Sequence, residues 1–208
     1  YRMQQEGFEV RCLITMVSEN PDSYMFHTPA ISMVDLQSES IGIPVVKRHT
    51  HGEKEHELED LKAAILDAKE KHGIRGVVTG AICSEYQRER IQIICDRLSL
   101  KVFSPLWHTD QEQELRGIIN EGFSFILTRV AALGLDGSWL GREMTLADVD
   151  KLVALSRKVG LNVAFEGGEA ESLMVDGPIF RKRLEVNGKK NMENEFTGVY
   201  EITSAKLL

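Results

Sequence analysis

The stretch Glu166-Gly167-Gly168-Glu169-Ala170-Glu171 places three carboxylates within six residues, around paired glycines. A turn alone would be served by the glycines, and carboxylates this close repel one another. Clustered carboxylates suit a site that holds Mg²⁺ or an ammonium ion, or that needs a base of raised pKa. Glu166, Glu169 and Glu171 are therefore the candidate catalytic residues, since perturbed carboxylates concentrate at functional sites.

Three other stretches carry residues that could do chemistry. Ser18-Glu19-Asn20-Pro21-Asp22-Ser23-Tyr24-Met25-Phe26-His27-Thr28-Pro29 is a polar connection in which Met25, Phe26 and His27 stand where a polar turn would suffice. An apolar wall beside backbone polar groups suits an adenine base, although a lone histidine is more often a surface or capping residue. Gly80-Ala81-Ile82-Cys83-Ser84-Glu85-Tyr86-Gln87-Arg88-Glu89-Arg90 runs from a strand end into a helix. There Gly80 permits close approach of a ligand to the backbone, and the helix start favours an anion. The charged run in it reads equally as a solvated helix face. Gly134-Leu135-Asp136-Gly137-Ser138-Trp139-Leu140-Gly141-Arg142 is either a packed loop with Trp139 plugging the core or a substrate loop with Arg142 available to a carboxylate or phosphate. Spacing does not separate the two.

The elements that must position these residues alternate through the first half. Residues 8–17 are β-rich and near-continuously apolar after Arg11, which predicts a buried strand. Thr28-Pro29 predicts a helix start and Gly42 its end. Pro44-Val45-Val46 predicts a second strand, residues 52–71 a charged helix with Leu58, Leu61, Ile65 and Ala68 inward, and residues 76–80 a third strand. A helix over residues 85–98 with Ile91, Ile94, Cys95 and Leu98 inward, then Lys101-Val102-Phe103, completes the series. Repeated β-α units imply right-handed crossovers, a parallel sheet, and ligands beyond the strands' carboxyl ends.

The texture changes near Trp107. A helix over residues 110–120 precedes a strand over 124–130. Thr145 with Asp148 resembles a capping box, and Gly160 ends that helix. Residues 162–165, Leu173-Met174-Val175, Leu184-Glu185-Val186 and residues 199–207 predict further strands, with Asn187-Gly188 as a hairpin turn. We expect domains over 1–107 and 108–208. Residues 1–7 read as the end of a helix.

Composition narrows the function classes. A net charge of −7 disfavours a general nucleic-acid binder. Three scattered cysteines fit neither a disulfide framework nor a CxxC metal site, and thus suit a reducing cytoplasm. No apolar run is long enough to span a bilayer, and no signal-peptide pattern opens the sequence.

Taken together, the sequence resembles the N-type ATP pyrophosphatases of the diphthine–ammonia ligase kind. Carrying the resemblance are Glu6-Gly7-Phe8-Glu9-Val10, Met25-Phe26-His27-Thr28-Pro29, and Gly80-Ala81-Ile82 with Ser84, Tyr86-Gln87-Arg88 and Arg90. Gly134-Leu135-Asp136, Ser138-Trp139-Leu140-Gly141-Arg142 and Glu166-Gly167-Gly168-Glu169 with Glu171 complete it. The family implies a Rossmann-like, adenine nucleotide alpha hydrolase-like parallel sheet with helices on both faces, then a smaller α+β domain. It implies ATP with Mg²⁺, an acyl-adenylate, ammonia as nitrogen donor and diphthine on translation elongation factor 2 as acceptor. On that basis Thr15, Ser18, Met25, Phe26, His27, Gly80, Ala81 and Ile82 are expected at the nucleotide. Ser84, Tyr86, Gln87, Arg88, Arg90, Trp139, Arg142, Gly167 and Gly168 are expected at the substrate. The family's SGGKDS phosphate loop is expected upstream of Tyr1, opening the helix whose tail is residues 1–6. The alternatives are an amide ligase for a small-molecule carboxylate and a non-catalytic adenine-nucleotide sensor.

Overall fold

Caps and left-handed glycines punctuate the chain where the sequence places them. The computed structural model describes residues 1–18, 33–51, 56–80, 82 and 84–208. It divides into two compact units, Tyr1–His108 and Thr109–Leu208.

In the first unit a short helix, α1 (Arg2–Gln5), precedes strand β1 (Leu13–Ser18). The strand begins later than the residues 8–17 predicted for it, and Phe8 packs instead on Phe103, with ring centres 5.1 Å apart. Helix α2 (Val34–Ile41) ends at Gly42, whose φ of 73° is the left-handed conformation expected of a C-terminal glycine. The predicted start of that helix at Thr28 lies outside the described residues. Strand β2 (Val45–Thr50) pairs parallel with β1. Helix α3 (His56–His72) follows, then β3 (Gly76–Val78), α4 (Glu85–Arg97) and β4 (Lys101–Phe103), with β3 and β4 also parallel. One core joins these pairs: Met16 of β1, Leu61, Ala64 and Ile65 of α3, Ile94 and Cys95 of α4, and Leu100 are buried together. Burial raises the Cys95 thiol to about 11, with Asp96 adding to the shift, so it behaves as a core hydrophobe.

The second unit is built on an antiparallel sheet. Helix α5 (Gln111–Asn120) starts on Asp110, which accepts the Gln113 N–H at 2.9 Å. Strand β5 (Ser124–Ala131) leads through the glycine-rich segment to α6 (Leu146–Val159). Thr145 and Asp148 form the reciprocal capping box there, and Gly160 closes the helix at φ 77°. Strands β6 (Ala170–Asp176), β7 (Leu184–Asn194) and β8 (Thr197–Leu207) complete a sheet of order β6-β5-β8-β7. This is an α/β parallel arrangement followed by an α+β one. Among the described residues no helix is long and apolar enough to cross a membrane.

Two predictions fail here. Residues 162–165 are not a strand, because the Asn162 side chain takes the backbone N–H groups of Ala164 and Glu166 at 3.1 and 3.2 Å and closes a turn. Asn187-Gly188 is not the hairpin turn; it is an irregularity inside β7, and the turn comes after Asn194, whose side chain accepts the Phe196 N–H at 2.9 Å.

Where a glycine is required by two separate constraints, its replacement should cost more. Gly141 has φ +68°, and a Cβ there would lie 2.3 Å from the Tyr200 ring; Gly160 has φ +77° with nothing within 4 Å. Gly160→Ala should lose about 1–2 kcal/mol from the left-handed backbone alone. Gly141→Ala should lose about 2–5 kcal/mol, because overpacking adds to the same strain. Urea midpoints of the two variants measure the difference, and equal midpoints would show that Tyr200 yields freely.

Candidate functional site

Each described strand of the first unit meets a hydroxyl at its carboxyl end. Ser18 closes β1 and Thr50 closes β2; they are register partners, and both are buried. Thr79 and Ser104, directly after β3 and β4, lie 3.0 Å apart through their hydroxyls. Hydroxyls at strand ends can donate or accept where the backbone ladder stops, and such strand ends are where parallel sheets bind ligands. Gly80 follows, and among the described residues an added Cβ would meet nothing within 4 Å. Thr15 lies within β1 opposite Lys47. Met25, Phe26, His27 and Ala81 lie outside the described residues.

The segments after β3 and β4 are tied together. Ile82 is buried, and its carbonyl accepts the His108 N–H at 2.9 Å. Ser84 caps α4, its hydroxyl accepting the Gln87 N–H at 3.4 Å. Arg88 reaches Glu85 at 3.7 Å and sets its guanidinium 4.8 Å from the centre of the Trp107 ring, which stacks on His108. Arg90 lies 3.3 Å from the Tyr86 ring centre and donates to the Tyr86 carbonyl at 3.2 Å, while its buried Nε has no hydrogen-bond partner among the described residues. Ser84, Tyr86, Gln87, Arg88 and Arg90 thus form one group at a helix start, with two guanidiniums that favour an anion. Trp107 and His108 join this group, although in the sequence Trp107 marks only the change of texture between the two halves. Thr50, Thr79 and Ser104 were passed over too; the first hydroxyl after each apolar strand run was the available signal.

In the second unit the glycine-rich loop is the packed alternative. Trp139 is buried among Leu127, Leu135, Leu140 and Leu152. Gly141 N–H and Met144 N–H bond the carbonyls of Leu127 and Phe125 at 3.0 and 2.9 Å, so the loop extends the edge of β5. Arg142, expected to be available to a ligand, is already engaged. It donates to both carboxylate oxygens of Asp148 at 2.7 and 2.9 Å, to the Ser138 carbonyl at 3.0 Å and to the Glu143 carbonyl at 3.2 Å. Asp148 also accepts from the Thr145 hydroxyl at 2.7 Å and from Lys151 at 3.1 Å. Burial would raise its pKa, yet these bonds outweigh burial and hold it well below the usual carboxylate range.

The three glutamates do not share one environment. Glu169 turns its carboxylate onto its own loop, accepting the Asn162 N–H at 3.0 Å and the Gly167 N–H at 2.9 Å. Glu171 is on β6, opposite Arg129, with the two charges 3.7 Å apart. Glu166 is exposed, and Asn162 accepts its N–H. Gly167 makes room for Glu169, since a Cβ there would fall 2.7 Å from the carboxylate, and Gly168 has φ +83°. Among the described residues there is no group of three or more His, Cys, Asp and Glu that could hold a metal.

Comparison with known proteins adds two family matches in chain order: the diphthamide synthase N-terminal domain over residues 1–102 and the diphthamide synthase C-terminal domain over residues 110–208. The chain is 37% identical over 213 residues to the diphthine–ammonia ligase of Mus musculus, covering 91% of this chain and 79% of that protein. It is 36% identical over 185 residues to that of Homo sapiens, covering 83% and 69%. With the Schizosaccharomyces pombe enzyme of the same name it shares 35% over 204 residues, 90% of this chain and 34% of the relative.

The Asp148 network sets a pH dependence. Its folded pKa is depressed, so its contribution is present above the unfolded value of about 4 and is lost as pH falls below that value toward the folded one. Arg142→Ala should cost about 3 kcal/mol near pH 7, the low end for breaking a buried pair because the arginine side chain is 38% exposed. Asp148→Asn should be less stable than wild type at neutral pH but lose less between pH 6 and pH 3. Urea unfolding across that pH range provides the measurement; parallel curves would mean that other carboxylates govern acid stability.

Proposed function

The chain belongs to the diphthamide synthase family, and from that membership we propose that it amidates diphthine on translation elongation factor 2, using ATP and ammonia. The supporting observation is that both halves match, in order, the two domains of the family, and that the relatives share one name over most of this chain. That shared name does not favour a small-molecule ligase or a nucleotide sensor.

The chemistry then runs in two steps. An oxygen of the acceptor carboxylate attacks the α-phosphorus of ATP, and the bond to pyrophosphate breaks to leave an acyl-adenylate. An ammonium ion must lose a proton before its nitrogen has a lone pair. That nitrogen bonds to the acyl carbon, the carbon–oxygen bond to AMP breaks, and a second proton leaves to give the neutral amide. In this proposal the strand ends around Thr15, Ser18 and Gly80 to Ile82 receive the nucleotide, where among the described residues a Cβ added at Gly80 would meet nothing within 4 Å. Ser84, Tyr86, Gln87, Arg88 and Arg90 face the anionic acceptor, and the acidic stretch from Glu166 to Glu171 attracts and deprotonates ammonium. Trp139 and Arg142 serve the substrate from behind, by fixing their loop. Mg²⁺ is proposed on the general chemistry of ATP, without a carboxylate cage in the described residues to hold it. In this proposal the protein acts in the cytoplasm, where an elongation factor would meet it.

The complete gene product, mixed with ATP, ammonium and diphthine-bearing elongation factor 2, should yield AMP, pyrophosphate and amide in equal amounts. Pyrophosphate release that needs a small carboxylate and leaves the elongation factor unchanged would overturn the acceptor. Gly80→Val should weaken ATP binding by about tenfold or more, roughly 1.4 kcal/mol, with the circular dichroism unchanged. Calorimetry showing wild-type affinity would move the nucleotide away from this strand end.

A further inference from the structure

Residues four apart on a helix lie one above another, so Tyr86, Arg90 and Ile94 share one face of α4. That face turns inward. Ile94 is buried in the core of the first unit, and Tyr86 packs against the same core. Arg90 thus puts a cation where the spacing calls for an apolar side chain, and it is partly buried. Arg48, Arg116, Arg129, Arg142 and Arg183 are also partly buried, and each of them faces a carboxylate. Among the described residues Arg90 faces none. Its partner is Tyr86: the guanidinium lies 3.3 Å from the ring centre, and Nη1 donates to the Tyr86 carbonyl at 3.2 Å. Glu85 turns to Arg88 instead, at 3.7 Å. One face and one corner of the Arg90 guanidinium are therefore fixed. The remaining edge, Nε with Nη2, makes no hydrogen bond among the described residues, and Nε is buried. Those two atoms carry parallel N–H donors, the pattern that matches two oxygens on one carbon or phosphorus. A guanidinium taken from water without a counter-charge is costly, and a bound oxyanion would offset that cost.

We propose that the Nε–Nη2 edge of Arg90 binds an oxyanion, a carboxylate or a phosphoryl group, and that Tyr86 is the positioning residue that holds the guanidinium for it. The inference rests on the reading above, in which substrate meets the start of α4, and it goes further by separating the two arginines. Arg88 and Arg90 are two residues apart, so they point in different directions from the helix and do not share one anion. Arg88 is 45% exposed and lies beside Glu85 and the Trp107 ring; it lines the approach. Arg90 is oriented and lacks a counter-charge, so it grips. Each substrate of the proposed reaction offers a matching group: the acceptor has its carboxylate, and ATP has its phosphates. Tyr86 contributes through its ring, since an aromatic face attracts the guanidinium and leaves its in-plane N–H donors for the ligand.

The test measures two affinities of the complete gene product, one for ATP by calorimetry and one for diphthine-bearing elongation factor 2 by fluorescence anisotropy. Arg90→Met should weaken binding of one of them roughly 10- to 100-fold, the worth of a hydrogen bond to a charged group. Arg90→Lys keeps the charge but not the two-donor edge, and it should recover little of that loss. A loss with ATP assigns the edge to a phosphoryl group; a loss with the factor alone assigns it to the carboxylate. Tyr86→Phe keeps the ring and should bind as wild type does, whereas Tyr86→Leu should weaken the same ligand roughly threefold to tenfold. Because the cation has no counter-charge, ligand-free Arg90→Met should melt no lower than wild type; a purely structural arginine would lower the midpoint and leave both affinities unchanged. Wild-type affinity of Arg90→Met for both ligands, or full recovery by Arg90→Lys, would overturn the inference. A wild-type protein that binds ATP yet forms no amide would instead sink the amidation reading, with Arg90 still decided by the ATP affinities.

Discussion

A buried carboxylate cannot remain charged unless its surroundings repay the loss of water, and Asp148 is where the second unit meets that demand. Its side chain is 4% exposed and accepts from Arg142 and Lys151, with Thr145 closing the capping box. The same atoms that satisfy it determine two further features. They start α6 at Thr145, and they fix Arg142, which carries the loop holding Trp139 and Leu140 against β5. Helix start, loop position and core closure are consequences of one charge needing partners. A conservative exchange of Arg142 for lysine would lose the two-pronged geometry, because an ammonium cannot span both carboxylate oxygens and two carbonyls at once.

How much of this could be read in advance depends on how local the cause is. Thr145 with Asp148, Gly42 and Gly160 are legible because a cap acts within a few residues, and Asp110 and Ser84 cap their helices by the same local chemistry although neither is singled out as a cap from the sequence. The buried faces of α3 and α4 followed from their spacing, as Leu61, Ile65, Ala68, Ile94 and Cys95 show. Asn187-Gly188 misled because hairpin chemistry specifies only a permissible turn, whereas the long pairing of β7 with β8 decides where the turn falls. Residues 162–165 misled because an asparagine side chain can satisfy the backbone in place of a neighbouring strand.

The candidate site shows the same limit. Contiguous members of a motif, such as Ser84 to Arg90, stayed together because a helix start holds them. Its other members came from after β4: Trp107 and His108 arrive through a parallel pairing and a positive φ of 59° at His108, which no periodicity encodes. Conversely, Arg142 was legible as a motif residue but not as one already occupied, because its acceptor lies in the following helix.

The acidic stretch makes the last step of this reasoning necessary. Three neighbouring carboxylates suggested a common task because their charges were counted without their partners. Glu171 lies on a strand and so takes its neighbour from across the sheet, Arg129. Glu169 lies where the chain turns, and its neighbours are backbone N–H groups that would otherwise lack acceptors. Even the paired glycines have internal causes: Gly167 leaves room beside the Glu169 carboxylate, and Gly168 takes a positive φ of 83°. Repulsion among the three is thereby relieved within the unit, since Glu169 and Glu171 each face partners of their own. A stretch that first suggests a cage for a cation is, in the folded unit, a turn and a strand start whose own backbone and neighbours engage Glu169 and Glu171.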